Sequence, residues 1–273
     1  MNKIRKPAVA GLFYPADYHE LDNELDILLN LAESKENPSS ITGIISPHAG
    51  YIYSGRTAAF GFKILKNKNI KNVIIISPSH HEYFRGCSIY NGDAFETPLG
   101  AVEINKEVST RIVEGSENIF FGINGHREEH AVEVQIPFLQ KVLNDFNIIP
   151  IVMGDQSGAY ISELAEQLSK VIGNDTVIVA SSDLSHYYSK DKARRLDSIV
   201  EEKISHFDFE GLQTDLKNRV CEACGGGPIV SMMKAAFLTG KNKSVILNRS
   251  DSGDTSHDNS RVVGYISAAI YGD

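Results

Sequence analysis

The sequence predicts an α/β protein: a single domain over residues 1–273, built on a mostly parallel sheet flanked by helices. Two features point there. Four short continuous runs rich in Ile and Val recur along the chain, as in strands buried on both faces. Segments of helical spacing alternate with those runs, which is the order of an α/β fold.

In chain order, Gly43-Ile44-Ile45 is the first strand, and Arg56 to Leu65 the helix after it. Val73 to Ile76 is the second strand. Lys106 to Val113 and a stretch ending near Leu143 are the helices that follow. Pro137 lies inside His130 to Leu143, so that helix kinks or begins at the proline. Ile148 to Met153 is the third strand, Ile161 to Ile172 its helix, and Val177 to Val179 the fourth strand. A helix near Ile229 to Leu238 and strands at Ser244 to Leu247 and Val262 to Ile270 complete the sheet. The polar stretch Ser34 to Ser40 reads as a loop, too short to separate domains.

Composition narrows the function. The chain has 27 Lys and Arg against 35 Asp and Glu, a net charge of −8. Nucleic acid and anionic membranes both favour a basic partner, so neither is expected to bind. No run approaches the ~18 apolar residues of a membrane span. The apolar stretch before Asp17 is too short for a secretion signal, and a cytoplasmic protein is expected. Three cysteines, Cys87, Cys221 and Cys224, are too few for a disulfide scaffold.

The chemistry gathers just past the strands. The first run ends in Ser46-Pro47-His48-Ala49-Gly50-Tyr51, the second in Ser77-Pro78-Ser79-His80-His81, and the fourth in Ser181-Ser182-Asp183-Leu184-Ser185-His186. In open α/β sheets the carboxyl ends of the strands form the functional crevice, so these histidines are expected to converge. Converging neutral imidazoles suit a transition metal. Asp183 and Cys224 are the candidate anionic ligands. Two His with a carboxylate suit non-haem iron, and two His with a thiolate suit Fe, Cu or Zn. A histidine left off the metal is free for acid–base work, and His81 is carried beside His80 for a direct role. Each has a plainer alternative. A strand-end histidine bonds backbone as readily as metal, and Asp183 would equally cap a helix starting at Leu184. Cys221 and Cys224 are a redox pair, half a zinc site, or a buried thiol with a bystander. His130 and Glu133 share a face if helical, either supporting the site or forming a surface ion pair. His19, His126, His206 and His257 have polar neighbours and are expected to be solvated.

Taken together, these motifs resemble the MEMO family, named for receptor-driven cell motility in animals, with many bacterial and archaeal members. The resemblance spans nearly the whole chain. It includes Arg5 to Pro15 with Ala10-Gly11-Leu12-Phe13-Tyr14, the three strand-end motifs, Glu129-His130-Ala131-Val132-Glu133, and Cys224 with Pro228-Ile229. The family is similar in fold to the class III extradiol dioxygenases, α/β proteins that bind Fe(II) and open catechol rings. The resemblance implies His48 and His80 as metal ligands, His186 as the catalytic histidine, and Cys224 where those dioxygenases carry a glutamate ligand. The resemblance implies Fe(II) as the expected metal, with Cu or Zn as alternatives; a thiolate is softer and more oxidisable than a carboxylate, so ring-opening activity does not follow from the resemblance alone. Animal relatives are linked to phosphotyrosine peptides, and many prokaryotic relatives lie beside a radical SAM protein. The expected function is a dioxygenase-like, metal-dependent oxidoreductase, with His186 as acid–base and Asp183 orienting it. The alternatives are a non-catalytic module binding metal or an anionic peptide, and a zinc hydrolase with Asp183 or Glu133 as base.

Overall fold

A computed structural model describes residues 3–33, 36 and 38–272. Ser34, Lys35 and Asn37 of the expected loop lie outside the described residues. The chain runs through β1 (Ile4–Arg5), α1 (Tyr18–Leu31), β2 (Ser40–Ser46), α2 (Tyr51–Lys63), β3 (Asn72–Pro78) and β4 (Cys87–Tyr90). Next come β5 (Ala94–Thr97), β6 (Gly100–Glu103), α3 (Lys106–Val113), β7 (Ile119–Gly122), and a 3₁₀ turn (Glu133–Gln135) leading into α4 (Ile136–Val142). They are followed by β8 (Asn147–Met153), α5 (Gly158–Ser169), β9 (Thr176–Ser181) and β10 (His186–Tyr188). The chain closes with α6 (Lys190–Ser205), α7 (Phe209–Lys217), α8 (Gly226–Leu238), β11 (Lys243–Asp251), α9 (Gly253–Ser256) and β12 (Val262–Gly272).

The main sheet is ordered β10-β12-β2-β9-β3-β8-β4-β7, with β11 also paired to β12. Its centre is parallel, as the apolar runs predict: β2, β9, β3 and β8 all run one way. Antiparallel β12 and β4 flank that centre, making the whole sheet mixed. Strands β1, β5 and β6 form a small separate sheet.

Register levels the working edge. Ser46 pairs with Ser181, and Ile76 lies beside Ala180, so the chain leaves β2, β9 and β3 at one height. Alternation along each strand divides the core in two. Ile44, Val73 and Ile75 face Leu21, Leu25, Phe62 and Phe138 under α1, α2 and α4. Ile45, Ile74 and Ile76 face Leu164, Ile229 and Met232 under α5 and α8. Among the described residues, no helix is long and apolar enough to cross a membrane.

One boundary departs from expectation, and one open alternative is decided. Helix α2 begins at Tyr51, not Arg56, because its first turn is anchored by the Tyr51 amide donating to the Phe13 carbonyl at 2.7 Å. The Pro137 segment resolves as a start: a 3₁₀ turn precedes α4, and the proline sits in its first turn, where no amide is needed.

Candidate metal centre

His48 follows β2 and is almost fully buried. Its amide donates to Asp183 Oδ1 at 2.8 Å, fixing the loop across the sheet. Its ring is fixed by Ser181. That hydroxyl donates to the Ala131 carbonyl at 2.7 Å and accepts from Gln135 Nε2 at 2.9 Å. With its one proton committed, it can only accept from His48 Nδ1, 2.9 Å away. The proton therefore sits on Nδ1, and Nε2 turns its lone pair toward Cys224 Sγ at 3.2 Å. Burial, then the neighbouring His80, pushes the His48 pKa down to about 3, so the ring is neutral.

His80 is set the same way by a different group. Glu129 accepts its amide at 2.6 Å through Oε2 and its Nδ1 at 2.9 Å through Oε1. A carboxylate only accepts, so Nδ1 carries the proton and Nε2 is the free donor atom. Burial alone lowers the His80 pKa, but the Glu129 contact outweighs it and the net shift is upward. Burial alone raises that of Glu129, yet His80 and the backbone amides hold it near about 2.

Cys224 Sγ accepts from the Asp183 amide at 3.2 Å. Burial first, and the Asp183 charge second, raise its thiol pKa far above the ordinary range. One ligand atom each from His48, His80 and Cys224 lies within 4.8 Å of the others. Ligand bonds of about 2.0–2.3 Å set donors roughly 3–4 Å apart around one ion, so the set fits a transition metal. His80, Glu129 and His130 are equally close. There, however, Glu129 Oε1 already accepts from His80 Nδ1 and from the amides of His130 and Ala131. This trio supports the centre; it does not form a second one. Glu129→Gln should therefore weaken metal binding by about 10–100-fold, measured by competition with a chelator. Unchanged affinity would deny Glu129 its orienting role.

The remaining candidates differ in placement. Asp183 is buried, and burial raises its pKa. Its Oδ2 lies 4.0 Å from His48 Nε2. It caps no helix, because the Leu184 amide donates to Gly264 in β12. His186 opens β10, partly buried, and lines the same cavity wall as Cys224. The next residue, Tyr187, is left-handed (φ 63°), which interrupts the pairing with β12 and sends its side chain to solvent. His81 is exposed, its ring 6.4 Å from that of His130. Cys221 is a buried free thiol outside the ligand group.

His130 stacks on His80 at 4.8 Å and meets His48 edge-on at 5.4 Å. Burial pushes its pKa down to about 4, keeping it neutral. Glu133 is not a surface ion pair. Its fully buried carboxylate pairs with Arg5 and accepts the Ala8 amide, the Val9 amide and the Tyr14 hydroxyl. With its lone pairs so committed, it cannot serve as a hydrolytic base. His126, expected to be solvated, is buried, with Nε2 3.0 Å from the Ser88 carbonyl. The cause is Arg5, whose Nε takes the His126 carbonyl at 2.9 Å and draws the loop inward. Burial pushes the His126 pKa down to about 4. An unfolded histidine titrates near 6.5, so acid favours the unfolded chain. Stability should fall as pH drops from about 6.5 toward 4; buried His48 and His130 contribute to the same limb, so His126→Gln should make it shallower in urea-denaturation profiles. An identical profile in the variant would exclude His126 as a contributor.

Sequence reasoning gave no role to Ser181, Gln135 or Glu129. Only Glu129 carried a signal, standing directly before His130.

The fold and this cluster define a class: a mixed α/β protein with a candidate metal centre of two histidines and a cysteine at the ends of parallel strands. The model of the Memo-like protein family matches residues 5–269, and the chain belongs to that family. A MEMO1 family protein of Thermoplasma volcanium is 37% identical over 266 residues, covering 97% of each chain. One from Nitrosopumilus maritimus is 36% identical over 268 residues, covering 96% of this chain and 98% of the relative. The crystal structure of uncharacterized protein JW3007 from Escherichia coli K12 shares the fold, with TM-score 0.54 and 11% identity. That match covers 83% of this chain and 99% of the other.

Proposed function

We propose that this chain is a metal-dependent oxidoreductase acting on a small molecule, with Fe(II), or alternatively Cu or Zn, held by His48, His80 and Cys224. One observation carries the reading. Ser181 and Glu129 independently hold both imidazole protons on Nδ1, which leaves the His48 Nε2 lone pair beside the Cys224 sulfur and the His80 Nε2 lone pair unshared, in a group whose ligand atoms lie within 4.8 Å of one another. Two imidazoles and a thiolate suit iron, copper or zinc. When bound, such an ion supplies redox and Lewis-acid chemistry. The protein's own groups do the rest. Asp183 holds the His48 backbone, His130 packs both ligand rings, and His186 stands outside the ligand set to accept or return a substrate proton.

Protein purified anaerobically without a metal-affinity tag should carry about one transition-metal ion per chain by elemental analysis. Absence of metal, with no uptake on anaerobic loading, would sink the proposal. Oxygen consumption by the loaded protein with catechol-like substrates separates a catalyst from a non-catalytic module. The thiol is tested by substitution. Cys224→Ser should weaken Cu(I) binding by more than about 100-fold, beyond the cost of losing an orienting partner, while Cys221→Ser leaves it nearly unchanged. Cys224→Glu should shift preference toward Fe(II). Equal effects of the two serine variants would exclude Cys224 as ligand and leave Asp183 as the better candidate.

A further inference from the structure

Beyond Cys224 and His186, the centre adjoins a cavity of about 730 Å³ between α5, α7 and α8. Small-molecule sites commonly enclose about 300–1,000 Å³. Its walls are mixed, with an apolar part formed by Ile161, Leu184, Leu216 and Val230. Lys217 and Arg219 also line it, and both are exposed. Among the described residues neither makes an ion pair or a side-chain hydrogen bond. Two unpaired cations on one cavity stand out in a chain of net charge −8. The acidic lining residue, Glu222, is already engaged by the Tyr188 hydroxyl at 2.7 Å.

The backbone fixes where Arg219 stands. It follows the end of α7 in the left-handed region, at φ 58°. Its amide closes the helix onto Leu216 at 3.1 Å, and the Val220 amide reaches Asp215 at 2.9 Å. Glycine or asparagine is the usual occupant of such a position. The amino end of α5, whose Ser157 makes no side-chain cap, also lines the cavity and contributes further positive potential.

We propose that the cavity binds an elongated, largely apolar small molecule with an anionic end, a carboxylate or a phosphate. That end sits against Lys217 and Arg219, and the other reaches Cys224 and His186. Only the metal-facing end rests on the proposed function.

The test uses metal-free protein and three eight-carbon probes: octanoate, octyl phosphate and octanol, titrated by calorimetry. Both anions should bind at least about tenfold more tightly than octanol. The stronger of the two identifies the anionic group. Lys217→Gln with Arg219→Gln should abolish that preference while metal uptake stays unchanged; both side chains are exposed, so the fold is retained. Octanol binding as tightly as the anions, no saturable binding of any probe, or a preference that survives in the double variant would each overturn the proposal. His48→Ala keeps the outcomes separate. It should bind octyl phosphate like the parent while taking up no metal, whichever way the metal proposal falls.

Discussion

Alanine at His48 will leave the protein without bound metal, whereas alanine at His186 will spare the metal and slow turnover by about 10²–10⁴-fold. The difference follows from position. His48 Nε2 lies 3.2 Å from Cys224 Sγ inside the ligand group, so its loss leaves the coordination shell incomplete. The loop should survive, because Asp183 holds residue 48 through its backbone amide. His186 stands outside that group, at the start of β10 and on the cavity wall. Removing it takes away a proton carrier and no ligand. Calorimetric metal titration and oxygen consumption separate the two roles. Equal loss of metal in both variants would make His186 a ligand and defeat the assignment.

Arg5→Met should destabilise the fold by about 3–5 kcal/mol, the usual effect of removing one partner of a buried ion pair. Side-chain exposure is 6% for Arg5 and 0% for Glu133, so the abandoned carboxylate has no route to water. The guanidinium also donates to the carbonyls of His126 and Glu129, so its loss loosens the segment that aims His80. Lysine lacks the planar fork, and Arg5→Lys should recover only part of the stability. Adding Glu133→Gln to Arg5→Met should restore some of it by neutralising the orphaned charge. Urea denaturation reads all three. A loss below about 1 kcal/mol for Arg5→Met would place the pair among ordinary surface bridges.

What the sequence made legible follows the reach of each signal. Strands β2, β3, β8 and β9 stood out because full burial on both faces leaves an unbroken apolar run. Helix α6 did not, because Lys190–Ser205 is mostly charged and buries only a stripe of Ala193, Asp197, Val200 and Ile204. The strands of the small sheet are too short to carry a pattern. His48, His80 and Asp183 were visible as strand-end residues, since parallel strands bring their carboxyl ends to one edge. Cys224 needed the family resemblance, a lone C-x-x-C being weak alone. The partners that set each imidazole were out of reach. Ser181 bonds a residue 133 positions away and Glu129 one 49 positions away, and no local pattern encodes such pairings. His126 misled for the same reason, as its neighbours are polar but its carbonyl belongs to Arg5.

The distance along the chain between ligands has a thermodynamic consequence. Cys224 and His48 are 176 positions apart, and His80 reaches the centre from a third segment. A site of such high contact order exists only after the sheet has closed, because every intervening loop must first give up its entropy. An ion held there would therefore be unable to template early folding and would bind the finished structure. A ligand at 1,000 times its dissociation constant stabilises the folded state by about 4.1 kcal/mol. Each kcal/mol raises the midpoint of a chain of this size by roughly 2–4 °C. Thermal scans thus become an assay of occupancy, and preparations of differing metal content should melt as distinct populations.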